Sequence, residues 1–145
     1  MIQRKQSLWL LLAALLNAGI LLTSLYTWHE VVNGVDTAHA LKVNDKYPLL
    51  VVTVVLVLLP TLAIFMFGNR KRQMALCFTS ILSCISFISM MLFRVTNINA
   101  QTPGITGASY SIGAILPVLA MVFLFMAIMG IRKDDKLVKS MDRLR

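Results

Sequence analysis

The side chains best suited to chemistry fall close together in one polar stretch: His29, Glu30, Asp36 and His39. Imidazoles and carboxylates both suit zinc, and these four are also the only actors that a membrane enzyme built on this chain would have. Their spacing fits no closed zinc motif, so a solvated loop is expected, with His29 beside Trp28 at a lipid boundary. Haem held by His29 and His39 is a weaker idea still, because both histidines fall on one side of the expected membrane and at least one is in a loop. There is no P-loop, no G-x-S-x-G and no carboxylate pair within an apolar run. No cofactor or metal is expected. Cys77 and Cys84 stand seven residues apart in one apolar run, about 10 Å along a helix. That exceeds the reach of a disulfide, and both read as small polarizable packing residues.

The remaining polar groups inside apolar runs are expected to hold helices together. Asn17 stands near the middle of the first run, where an amide in hydrocarbon must find a partner, so it should face another helix. Cys77, Ser80 and Cys84 share one face of the third run, with Ser83, Ser86 and Ser89 nearby. Small and hydroxyl residues let helix backbones approach, which makes this run the packing centre. Ala14 and Ala18 offer a weaker small-residue pair on the first run. Pro60 and Pro117 interrupt the second and fourth runs and are expected to kink them. They are read as static, because no ionisable residue accompanies either one to couple a motion to an ion.

The elements that position these residues are four apolar segments: Leu8 to Trp28, Pro48 to Phe67, Met74 to Phe93 and Ser111 to Ile131. Each has about 20 residues, which at 1.5 Å per residue matches a hydrocarbon core of about 30 Å. None contains a charged residue. Each must be a helix, since an isolated extended segment would leave its amides unpaired in lipid; this overrules the strand propensity of Val51 to Val57. The composition agrees: 58% of the 145 residues are hydrophobic and 14% charged, with a mean hydropathy of +0.78, too little charge for a soluble domain. The first segment reads as an uncleaved anchor, because Leu25 to Trp28 offer no small-x-small cleavage site and Ala38 and Ala40 lie well beyond the apolar end.

The net charge of +8 does not point to nucleic acid, because the Lys and Arg residues sit in short clusters between apolar runs. Eleven of the fourteen fall before the first segment, between the second and third, and after the fourth. With an even number of spans, the positive-inside rule puts both termini and Arg70 to Arg72 in the cytoplasm. The expected fold is therefore an all-α membrane protein of four transmembrane helices, N-in/C-in. The loops His29 to Tyr47 and Arg94 to Tyr110 lie outside, the latter containing a turn over Gln101 to Gly104. Only Gly68 to Gln73 separates the second and third helices, so these are antiparallel neighbours. No internal repeat or linker divides residues 1–145, and the chain reads as one domain.

The tail 132–145 completes this picture. Leu137, Met141 and Leu144 recur at i, i+4 and i+7, while Lys136, Lys139 and Arg143 occupy other faces and Asp135 can pair with Lys139. A short amphipathic cytoplasmic helix is expected. It would dock on anionic lipid or on a protein, the latter favoured by Asp134, Asp135 and Asp142, which simple attraction to lipid does not need.

Three segments carry a family resemblance: the opening MIQRKQSLWLLLAALL, the inner loop GNRKRQMAL and the closing GIRKDDKLVKSMDRLR. They resemble the corresponding parts of a bacterial inner-membrane family labelled domain of unknown function 4293. The resemblance spans the chain in order and implies four spans with a cytoplasmic tail. It supplies no reaction, substrate or binding residue. Together the readings point to a non-catalytic membrane protein, an accessory or structural subunit packing against a larger integral membrane assembly. The alternative is a small solute or ion transporter or channel acting as a homo-oligomer, against which stands the lack of charge within the spans. A membrane enzyme using the outer-loop residues is the third.

Overall fold

The computed structural model describes residues 3–32, 35–66, 68–102 and 104–142. Among them lie four α-helices, α1 (Gln3–Gly19), α2 (Tyr47–Phe65), α3 (Arg70–Gln101) and α4 (Ile112–Asp142), and three strands, β1 (Ser24–Val32), β2 (Val35–Lys42) and β3 (Ile105–Tyr110). Short 3-10 turns follow α1 at Ile20–Leu22 and precede α2 at Val43–Asp45. The helices form a closed ring in which α1 packs on α4 and α2, and α3 on α2 and α4. The strands make one antiparallel sheet of order β2-β1-β3 at one end of the ring.

The helical part follows from the apolar runs. Among the described residues, three helices are long and apolar enough to cross a membrane: Tyr47–Phe65, Arg70–Gln101 and Ile112–Val138; Gln6–Leu22 is a shorter apolar one. Pro48 sits in the first turn of α2, where its missing N–H costs nothing. Asn69 caps α3, its side-chain oxygen accepting from the Arg72 backbone N–H at 3.3 Å. Inward faces carry Leu10, Ile20, Leu49, Leu56, Phe87 and Leu124, all fully buried. Outward faces are just as apolar, with Leu15, Leu62, Leu82, Val122 and Phe125 exposed. A surface of this kind suits lipid or another apolar surface, not water.

The sheet departs from the all-α expectation. The first helical stretch stops at Leu22, so the end of the expected Leu8-to-Trp28 span is strand instead. At Thr23 the backbone becomes extended (φ −114°, ψ 157°), and its hydroxyl donates to the Gly19 carbonyl at 3.0 Å. From Ser24 onward the β-branched and aromatic residues Tyr26, Thr27, Trp28, Val31 and Val32 follow, which favour strand once neighbouring segments can pair with them. Both connections at this end supply such partners. Tyr26 pairs with Leu41 and Tyr110, Trp28 with His39, and His29 with Ala38 and Thr106.

Two helices are also longer than expected. α3 runs past Phe93 to Gln101, and this extension lies under the sheet: Val95 is buried with Tyr26 and Leu41, with Trp28 and Ile98 packed alongside. The Tyr26 hydroxyl donates to Asn99 Oδ1 at 3.0 Å. α4 continues unbroken from Ile112 to Asp142, so the tail prolongs the fourth helix and is not a separate one.

Candidate functional site

At the sheet end, strand alternation separates the four chemistry-bearing residues, because neighbouring residues of a strand point to opposite faces. His29 Nδ1 lies 3.2 Å from Asp36 Oδ1 on one face. His39 belongs to the other face, stacked on Trp28 with ring centroids 5.4 Å apart, its Nε2 3.3 Å from Thr37 Oγ1 and 3.7 Å from Glu30 Oε2. The sheet thus makes two separate histidine–carboxylate pairs rather than a loop that could gather four ligands. Among the described residues no three of His, Cys, Asp and Glu form a metal-holding group.

The same end holds a cleft of about 520 Å³ at the seam between helices and sheet. Its polar wall is formed by Thr23, Ser24, Ser109, Tyr110 and Ser111, with Lys42 at the end of β2; Leu22 and Ile112 form its apolar lip. The seam is tightly built. The Ser111 backbone N–H donates to the Leu25 carbonyl at 3.1 Å, and a Cβ at Gly113 would lie 2.5 Å from the Ser24 carbonyl oxygen and 2.7 Å from Thr23 Oγ1. Only a residue without a side chain lets α4 start this close to the α1–β1 junction. None of these residues belongs to a recognisable motif in the sequence. Serine and threonine scattered at segment ends carry no motif, and only the folded sheet brings Lys42 beside them.

In the bundle interior, Asn17 is fully buried and its amide donates to the Leu56 carbonyl at 3.0 Å, joining α1 to α2. Its Oδ1 is buried without a hydrogen bond among the described residues. Cys77, Ser80 and Cys84 are fully buried on one face of α3 together with Phe87, and the Ser80 hydroxyl donates to the Leu76 carbonyl at 2.8 Å. Thr53 does the same toward Leu49, also at 2.8 Å. The polar atoms of the core are thus tied mostly to backbone carbonyls of the bundle itself.

At the end of the bundle opposite the sheet, Asp134 is buried between helices. The Gln6 side-chain amide donates to its Oδ2, and the Arg70 guanidinium donates to its backbone carbonyl at 2.9 Å. Gln73, also buried, donates to the Ala63 carbonyl at 3.1 Å. Asp134 therefore serves a contact inside the molecule, where the sequence had suggested a charge for partner docking. Of the expected docking face, Lys136 and Leu137 are exposed. Lys139 and Met141 lie on α4 with only their backbone described, and Arg143 and Leu144 fall outside the described residues. Arg132 instead lies over the Phe78 ring, 5.7 Å from its centroid.

No curated protein and no solved structure matches the chain. The sequence model of one family, described as a domain of unknown function (DUF4293), matches residues 2–144, so the chain belongs to that family.

Proposed function

We propose that this chain is a non-catalytic subunit of a larger integral membrane assembly, crossing the bacterial inner membrane four times with both termini in the cytoplasm and the three-stranded sheet on the outer side. The observation that carries this reading is the contrast between interior and surface. The interior of the ring is lined by its own apolar side chains, including Leu10, Leu49, Leu56, Phe87 and Leu124, and the Asn17 amide N–H and the Thr53 and Ser80 hydroxyls donate to backbone carbonyls. A solute path through a single chain needs a polar lining along the axis, and the buried side chains of the ring are mainly apolar. The outward apolar faces and the sheet are what remain to act.

The chain should be purified in mild detergent after photo-crosslinking in cells from single positions at Leu62, Leu82 and Phe125. One integral membrane protein captured in fixed stoichiometry, and lost when the crosslinker moves to the buried position 56, supports the subunit reading. Crosslinks solely between copies of this chain, with solute flux in vesicles, would favour the homo-oligomeric transporter instead.

A further inference from the structure

We propose that the cleft between helices and sheet is a binding site for an anionic phospholipid of the sheet-side leaflet: its phosphate contacts Lys42, Ser24 and Ser111, and its acyl chains lie on Leu22 and Ile112. The inference rests on the chain lying in a bilayer, but not on its being a subunit of anything larger.

The depth of the cleft favours a lipid. Leu22 ends the first apolar stretch and Ile112 begins the fourth helix, so the cleft lies at the level where hydrocarbon gives way to headgroups. These two residues are 90% and 70% exposed, an arrangement that water disfavours and adjoining acyl chains favour. The donor set of the cleft suits an anion. The Lys42 ammonium makes no ion pair among the described residues. Asp45 lies near it, but its carboxylate accepts from the Lys42 backbone N–H at 3.1 Å. No hydrogen bond to another described residue involves the Ser24 or Ser111 hydroxyl. Thr23 donates to Gly19 and can only accept from a ligand. Ser109 is shared with Thr27 at 3.1 Å. One cation and two uncommitted hydroxyl donors match a group that offers only acceptor oxygens and negative charge, which is the chemistry of a phosphodiester.

Rigidity and size complete the case. The close approach at Gly113 and the Ser111-to-Leu25 hydrogen bond fix Ser24 and Ser111 relative to one another, so little ordering is left for the ligand to impose. A volume of about 520 Å³ accommodates a glycerophosphate headgroup with the first methylenes of its chains, leaving the rest in the bilayer.

The test uses the full chain in detergent, titrated with dihexanoyl-phosphatidylglycerol and followed by native mass spectrometry and calorimetry. Saturable binding of one lipid per chain is expected, weakened about tenfold by Lys42→Ala, as loss of one charge-assisted contact predicts. A severalfold loss is expected for the Ser24→Ala, Ser111→Ala pair. Lys42→Arg should retain binding, and Lys46→Ala, outside the cleft, should leave it unchanged. Circular dichroism and size-exclusion profiles show that each variant is folded. Inorganic phosphate binding as tightly as the lipid would mean a free-anion site and overturn the proposal. Uncharged dihexanoylglycerol binding equally well, or Lys42→Ala binding like the parent, would overturn it too. Absence of a membrane partner in the crosslinking experiment would leave these results untouched, so the two readings fail separately.

Discussion

At Asn17 two opposing terms meet in one side chain: its amide joins α1 to α2 through the Leu56 carbonyl, while its Oδ1 is buried without a partner among the described residues. Interhelical hydrogen bonds inside membranes contribute roughly 0.6 kcal/mol on average and up to about 1.7, and the orphaned oxygen offsets part of that. Asn17→Ala should therefore lower stability by no more than about 1 to 2 kcal/mol, measured by reversible unfolding in mixed micelles. A loss of 4 kcal/mol or more would show a larger role for the orphan oxygen, such as holding a buried water. Asp134 should respond differently. Asp134→Asn keeps an acceptor for the Gln6 amide and should be nearly neutral, whereas Asp134→Ala leaves that amide buried and unpaired, costing about 1–3 kcal/mol. Cys77 and Cys84 test the closure of the α3 face. Both are fully buried, so a maleimide should label neither in the folded protein and both after denaturation in dodecyl sulfate; rapid labelling of the folded chain would mean the α3 face is open.

The helices could be read from hydropathy because lipid leaves an apolar run of about 20 residues no other way to pair its backbone. Their ends could not, since that constraint relaxes where water and neighbouring strands become available. Tyr26 and Trp28 look like interfacial anchors in the sequence, yet β1 uses them to pack on the α3 extension. The hairpin did leave a local sign: Asn33-Gly34 stands between two β-branched stretches, a common hairpin signal. β3 left a weaker one, because Ile105–Tyr110 is short, largely exposed and becomes a strand by pairing with β1. Gly113 gave no sign at all, being one glycine at the head of an apolar run until the Ser24 carbonyl is placed beside it. A methyl group there must displace backbone rather than a flexible side chain. Gly113→Ala should thus destabilise the fold by about 1–3 kcal/mol and speed amide exchange in β1, where Ser24 begins the strand. Unchanged exchange in β1 would show that the seam yields more easily than its distances suggest.

Taken whole, the molecule has two unlike ends. At one, the hairpin and the α3–α4 connection join in a single sheet. At the other, Gln6, Arg70 and Asp134 bring α1, α3 and α4 together beneath the short α2–α3 turn. Helix lengths reflect this difference: the 32 residues of α3 extend about 48 Å at 1.5 Å each, more than a hydrocarbon core of about 30 Å, and its surplus lies under the sheet. The cluster Arg70, Lys71 and Arg72 lies at the opposite end from Asp36 on β2, so a membrane that separates the ends must separate these positions. The positive-inside rule predicts that the basic end faces the cytoplasm. Single cysteines at positions 36 and 71, in a background with Cys77→Ala and Cys84→Ser, should then behave oppositely toward an impermeant maleimide applied to spheroplasts. Position 36 should label at once, because it is exposed on the sheet, and position 71 only after the membrane is permeabilised. Reversed labelling would keep the four spans and invert the orientation. Labelling of both positions from outside would mean that α2, the one helix between them, does not cross the membrane, and the four-span topology would fall.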